Sequence, residues 1–138
     1  MRTNQILIDF NDGKSCNKDF LLFKRIIKDR GSIYSVSGGN VKKREDIKKF
    51  LKKLKSNKKY AKATHNTWAV RISHEGKIFE TKNDDGETGA GNTILRVLQR
   101  ENIINTVVVV TRWFGGIKLQ GDRFRHVQDA TKYFLEKM

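Results

Sequence analysis

Apolar residues alternate along some stretches of the chain and recur every three or four positions along others, and these two spacings separate strands from helices. Trp68, Val70 and Ile72 alternate with Thr67, Ala69 and Arg71. This predicts a strand over 65–73, with a hairpin loop at 74–77 and a return strand over 77–81. Val107 to Val110, between Thr106 and Thr111, form a β-branched run, the mark of a strand covered on both faces or lying at a sheet centre. A further strand is expected over 31–37, broken by Gly38-Gly39-Asn40. Ile47, Phe50, Leu51 and Leu54 fall at i, i+3, i+4 and i+7, which predicts a helix with a single apolar stripe. Ile94, Leu95 and Leu98 define a second helix from Gly91. Phe124, Val127, Thr131, Phe134, Leu135 and Met138 define a third, beginning near Gly121-Asp122.

The first quarter of the chain reads less clearly. Gln5 to Phe10 has the look of a short strand, and Asn11-Asp12-Gly13-Lys14 has turn chemistry. Phe20 to Phe23 with Ile26 and Ile27 fit neither period cleanly and are read as a strand. Asn57 to Lys62 make a short extra turn. The order of elements predicts an α+β fold, a mixed β-sheet with helices on one face. At 138 residues the chain suits one domain with a real core.

Charge changes the picture most. The formal net charge is +14, a field that attracts RNA and acidic protein surfaces, although a general preference for lysine produces surface charge without any ligand. Lys48, Lys49, Lys52, Lys53 and Lys55 surround the apolar stripe of the first helix. The longest apolar run is four valines, far short of the roughly 20 residues that cross a bilayer, and the N-terminus lacks a signal-peptide pattern. A cytoplasmic protein is the expectation. Cys16, the one cysteine, offers neither an internal disulfide nor a Cys-rich zinc site.

Three segments hold candidate chemistry. Asp84-Asp85-Gly86-Glu87, joined by His65 or His74, offers carboxylates for acid/base work or a divalent cation, as a hydrolase or transferase would require. An acidic turn before a helix is also favoured by capping and by the helix dipole. Gly86 to Thr93 is a glycine-rich helix entry without the order of a P-loop, and close packing of loop on strand accounts for Gly86, Gly89 and Gly91. Arg112-Trp113-Phe114-Gly115-Gly116-Ile117-Lys118 continues to Gly121-Asp122-Arg123-Phe124-Arg125-His126. There cations and aromatics alternate with glycines, a composition suited to bases and phosphates. The competing reading makes Trp113 and Phe124 core residues and pairs Arg112 with the acidic turn.

The run from Asp84 to Gly91, the four valines, Arg112 to Leu119 and Gly121 to His126, with Asp29-Arg30-Gly31-Ser32, Ala63-Thr64-His65-Asn66 and Ala69-Val70-Arg71, closely resemble the blocks of the IMPACT family, in its eukaryotic form. The resemblance covers about 29–135. It implies an IMPACT-type domain over 29–138, with 1–28 an extension packed on it. It also implies a fold similar to the second domain of ribosomal protein S5. Eukaryotic relatives restrain the stress kinase that phosphorylates initiation factor 2, by competing for its ribosome-associated activator. They do so with an RWD domain, for which residues 1–28 are too short. No catalytic residue, metal or cofactor carries over. The expectation is a binding module for translational control in stress, with Lys48, Lys52, Lys55, Arg112, Lys118, Arg123 and Arg125 meeting RNA or the ribosome. The partners in view besides these are the activator protein and actin.

Overall fold

A computed structural model describes residues 13–138, so the strand expected over 5–10 lies outside the described residues. Five strands and four helices follow in the order β1 (Leu21–Asp29), β2 (Ser32–Asn40), α1 (Arg44–Lys55), α2 (Lys58–Ala61), β3 (His65–His74), β4 (Lys77–Asn83), α3 (Ala90–Arg100), β5 (Thr106–Trp113) and α4 (Asp122–Lys137). The strands form one sheet in the order β1-β2-β5-β3-β4. The α+β class is as expected. The sheet, however, is antiparallel at all four pairings rather than mixed.

β5 is the central strand, and its valines divide between two cores. Val108 and Val110 pack with Tyr34, Val36 and Ala69 beneath α3 and α4, where Ile94, Leu98, Val127 and Phe134 are buried. Val107 and Val109 face the other way, towards Ile47, Phe50 and Leu54 of α1 and Tyr60 of α2. The expectation of helices on one face is therefore corrected to helices on both. Periodicity shows that a helix has an apolar face, and says nothing about which side of a sheet that face meets.

Gly38 and Gly39 do not end β2; the strand runs through them to Asn40. A Cβ on Gly38 would stand 2.5 Å from both the Phe134 ring and the Val107 carbonyl oxygen. A Cβ on Gly39 would come closer still to the Asp19 carbonyl oxygen. Absence of a side chain lets α4 and the 14–20 segment approach the sheet. In that segment Cys16 is fully buried in the α3/α4 core, its amide donating to Thr106 Oγ1 at 2.8 Å. β1 is an edge strand, as β4 is at the other side, and it crosses the 28/29 boundary set by resemblance. Its register shifts between Phe23 and Ile27, where Arg25 has φ 53°. The bulge adds two residues, so Leu21, Phe23 and Ile27 stay on one face, but Ile26 joins them there, and this obscures the alternation in sequence.

Candidate functional site

The acidic turn sits between β4 and α3, against the start of β3. Thr67 Oγ1 donates to the Asp84 carbonyl at 2.8 Å. The Asp84 carboxylate accepts from the amides of Gly89 at 3.0 Å and Gly91 at 2.8 Å, so it caps α3 from five residues upstream of Gly89. The Gly89 amide, and to a lesser extent that of Gly91, holds its pKa below the usual carboxylate range against the opposing effect of burial. Asp85 Oδ2 accepts from the Asn66 amide at 2.7 Å. Gly86 and Gly89 have φ of 87° and 88°, and a Cβ on Gly91 would lie 2.7 Å from Asp84 Oδ1. These glycines allow the turn to close on its own carboxylate.

Glu87 leads from this turn into the interior. Register places Tyr34, Arg112 and His65 side by side on the α3/α4 face of β2, β5 and β3. Glu87 accepts from Arg112 Nη1 at 2.9 Å and from Arg123 Nη1, also at 2.9 Å, and the side chains of Glu87 and Arg112 are each 6% exposed. Two guanidiniums on one buried carboxylate satisfy it with charge-assisted bonds. Arg112 Nη2 donates to Ser32 Oγ at 3.3 Å, which also accepts from the Gly115 amide at 3.2 Å. Arg123 donates further to the Thr88 carbonyl and lies 4.1 Å above the Phe124 ring. Tyr34 is fully buried, its hydroxyl without a hydrogen-bond partner among the described residues, and burial pushes its phenol up to about 12.

His65 stands at the mouth of this cluster. Its Nδ1 is 2.8 Å from the Asp85 carbonyl oxygen, which places the ring proton there, and its Nε2 is 3.8 Å from Glu87. A cavity of about 330 Å³ opens here, lined by His65, Glu87, Arg112 and Arg123 with Phe114 and Lys118. The structure thus gathers most of the motif residues, but their polar atoms bond to one another. Glu87 is held by arginines, Asp84 by backbone amides and Asp85 by Asn66. The carboxylates proposed for a hydrolase or transferase are engaged in building the loop. His74 is exposed at the far hairpin, beside Glu75.

The cations expected to form one binding face are divided. Lys48, Lys52 and Lys55 are exposed on α1, on one side of the sheet. Lys118 and Arg125 are exposed on the other side, Arg125 3.4 Å from Asp122. Arg112 is corrected from a surface cation to an interior one, because its position on β5 directs it under α3 and α4. Gly115 and Gly116 lie exposed after β5, with Gly115 backed against Gly31. Sequence reasoning missed two places. Arg96 and Arg100 of α3 join Arg125 around a cleft of about 510 Å³. Their spacing of four on a polar helix side was the available signal. Lys24, Arg25 and Lys59 surround Trp113, and the bulge that brings the first two there leaves no mark in the sequence.

The Impact N-terminal domain model matches residues 30–135. Protein IMPACT of Rattus norvegicus is 42% identical over 111 residues, spanning 79% of this chain and 35% of that protein. Protein IMPACT homolog of Caenorhabditis elegans is 40% identical over 114 residues, 80% of this chain and 44% of that one. The two-domain translational regulator Yih1 aligns with a TM-score of 0.60 at 30% identity, over 92% of this chain and 50% of that chain. A crystal structure of a hypothetical protein gives 0.72 at 20% identity, over 85% of this chain and 60% of that one, a likeness of fold. The chain spans less than half the length of these curated relatives. With the acidic turn, the buried arginine and the central strand all inside the matched residues, the chain belongs to the IMPACT family.

Proposed function

We propose that this domain is a binding module of cytoplasmic translational control that docks on RNA or the ribosome through the cationic surface of α1 and α2. One observation carries the reading. Residues 42–62 hold eleven lysines and arginines against two carboxylates, a net charge of +9, and none of those cations forms a salt bridge with the described residues. Cations left unpaired repel one another, and a polyanion relieves that repulsion while releasing its own counterions. The link to translation draws on the description of Yih1 as a translational regulator. In this reading the domain restrains the kinase acting on initiation factor 2 from a ribosome-bound position. The activator of that kinase, or actin, competes for the same cations.

Sedimentation with ribosomes, and anisotropy with labelled RNA, test this across a salt series. Log affinity for a single strand should fall with log salt by about 0.7 per phosphate contacted. Joint charge reversal of Lys48, Lys52 and Lys55 to Glu should flatten the slope. Retention that does not change with salt overturns the reading. Retention by an acidic protein alone removes RNA from it.

A further inference from the structure

Beside the cationic surface, a groove of about 460 Å³ opens where β1, β2, β5 and the α2 segment meet. Ile33, Tyr60 and Trp113 give it an apolar floor. Lys24, Arg25 and Lys59 stand around it, and among the described residues no carboxylate lines it. The aromatic wall is set in place before any ligand arrives. Trp113 Nε1 donates to the Lys59 carbonyl at 3.1 Å, and Tyr60 meets the Trp113 ring edge-on, 5.0 Å between centroids. The Tyr60 hydroxyl donates to Ser35 Oγ at 3.2 Å, and the same oxygen accepts from the Arg25 amide at 2.9 Å. One serine therefore ties the aromatic floor to the bulge that carries two of the cations.

We propose that this groove receives one unpaired nucleobase of single-stranded RNA, its ring against Trp113 and its flanking phosphates on Lys24, Arg25 and Lys59. The inference rests on the RNA-binding reading above and narrows it from polyanions in general to single strands. A duplex keeps its bases stacked inside and offers this groove only phosphates. A splayed base offers a planar apolar face joined on both sides to negative charge, which matches an aromatic floor inside a ring of cations. Asn57 Oδ1 is engaged by the Lys59 amide at 3.0 Å, leaving its side-chain NH₂ at the groove to donate to a base carbonyl. The +9 segment that contains Lys59 continues the phosphate path along α2 and α1.

The test uses Trp68→Phe protein, so that emission reports Trp113 alone, titrated with short oligoadenylate and with an RNA duplex of equal length. Oligoadenylate should quench Trp113 and bind more tightly than the duplex. Trp113→Leu, which keeps an apolar floor, should weaken oligoadenylate roughly 10-fold or more while changing duplex binding little. Lys24→Glu, at an exposed position, should weaken oligoadenylate without disturbing the fold. Equal binding of both RNAs with unchanged emission overturns the inference and leaves the charge-driven reading standing. Absence of binding to either RNA removes both. Tighter quenching by a glutamate-rich peptide carrying one phenylalanine assigns the groove to protein and overturns the inference as well.

Discussion

Glu87→Gln removes one negative charge from beneath two guanidiniums while keeping the side chain's size. Arg112 has the same 6% side-chain exposure as Glu87, so water cannot replace the lost carboxylate around it. Breaking a buried pair by removing one partner costs about 3–5 kcal/mol, and the amide oxygen left to accept a hydrogen bond favours the lower end. At about 4 °C per kcal/mol for a domain of this size, a loss of about 3 kcal/mol lowers Tm by roughly 12 °C. Thermal and urea melts followed by circular dichroism measure it. Arg112→Met in the same background removes the stranded cation, so the double variant should be more stable than the sum of the single effects by about 1–3 kcal/mol. A cost under about 0.5 kcal/mol for Glu87→Gln, or strict additivity with Arg112→Met, refutes the account of a mutually dependent buried cluster. RNA affinity of the folded variant should stay at the wild-type value, since α1 and α2 lie across the sheet. Loss of RNA binding without loss of fold would move the functional site to the cluster.

Gly38→Ala places a methyl group against Phe134 and the Val107 carbonyl and should destabilise by about 1–3 kcal/mol in urea titration, with β2 amides showing the largest loss of hydrogen-exchange protection. Because Asp84 has a lowered pKa in the fold, the stability it contributes is present above the unfolded value near 3.9 and is lost as pH falls through the folded value; Asp84→Asn should cost about 1 kcal/mol at pH 7 and flatten the acid limb of the stability profile. Tyr34 titrates in the opposite sense: with its pKa raised to about 12, its contribution holds below the unfolded value near 10 and is lost as pH rises through the folded value. Tyr34→Phe removes that alkaline limb and, by deleting a buried hydroxyl that has no partner among the described residues, should leave neutral-pH stability unchanged or raise it by up to about 1 kcal/mol.

Elements with one buried face were readable because burial writes itself into residue spacing. The stripe of Ile47, Phe50 and Leu54 gave α1, and the alternation at Trp68, Val70 and Ile72 gave β3. The unbroken valines gave a strand buried on both sides, which is the position β5 occupies. What spacing does not encode is the third dimension of packing. Gly38 and Gly39 read as a break because the residues that need their missing side chains, Phe134 and Asp19, are distant in sequence. The Arg25 bulge put Ile26 on the same side as Phe23 and Ile27, which broke the alternation of β1. Arg112 read equally well as an RNA contact and as the partner of the acidic turn. Only its register beside Tyr34 and His65 decides for the turn, and that register is fixed by two strands it does not adjoin in sequence.

Arg112 and Trp113 are consecutive residues on opposite faces of a strand that ends there. One enters the Glu87 cluster and the other floors the groove by α2. Inserting or deleting a single residue at the start of β5, ahead of the valines, would exchange the two, sending a guanidinium into the groove and an indole in among the ion pairs, while reversing every valine between the two cores. The permitted history of this strand is therefore narrow. Substitutions that keep size can accumulate along it, whereas changes of length are confined to places such as the exposed 74–77 hairpin, where an added residue displaces nothing but solvent.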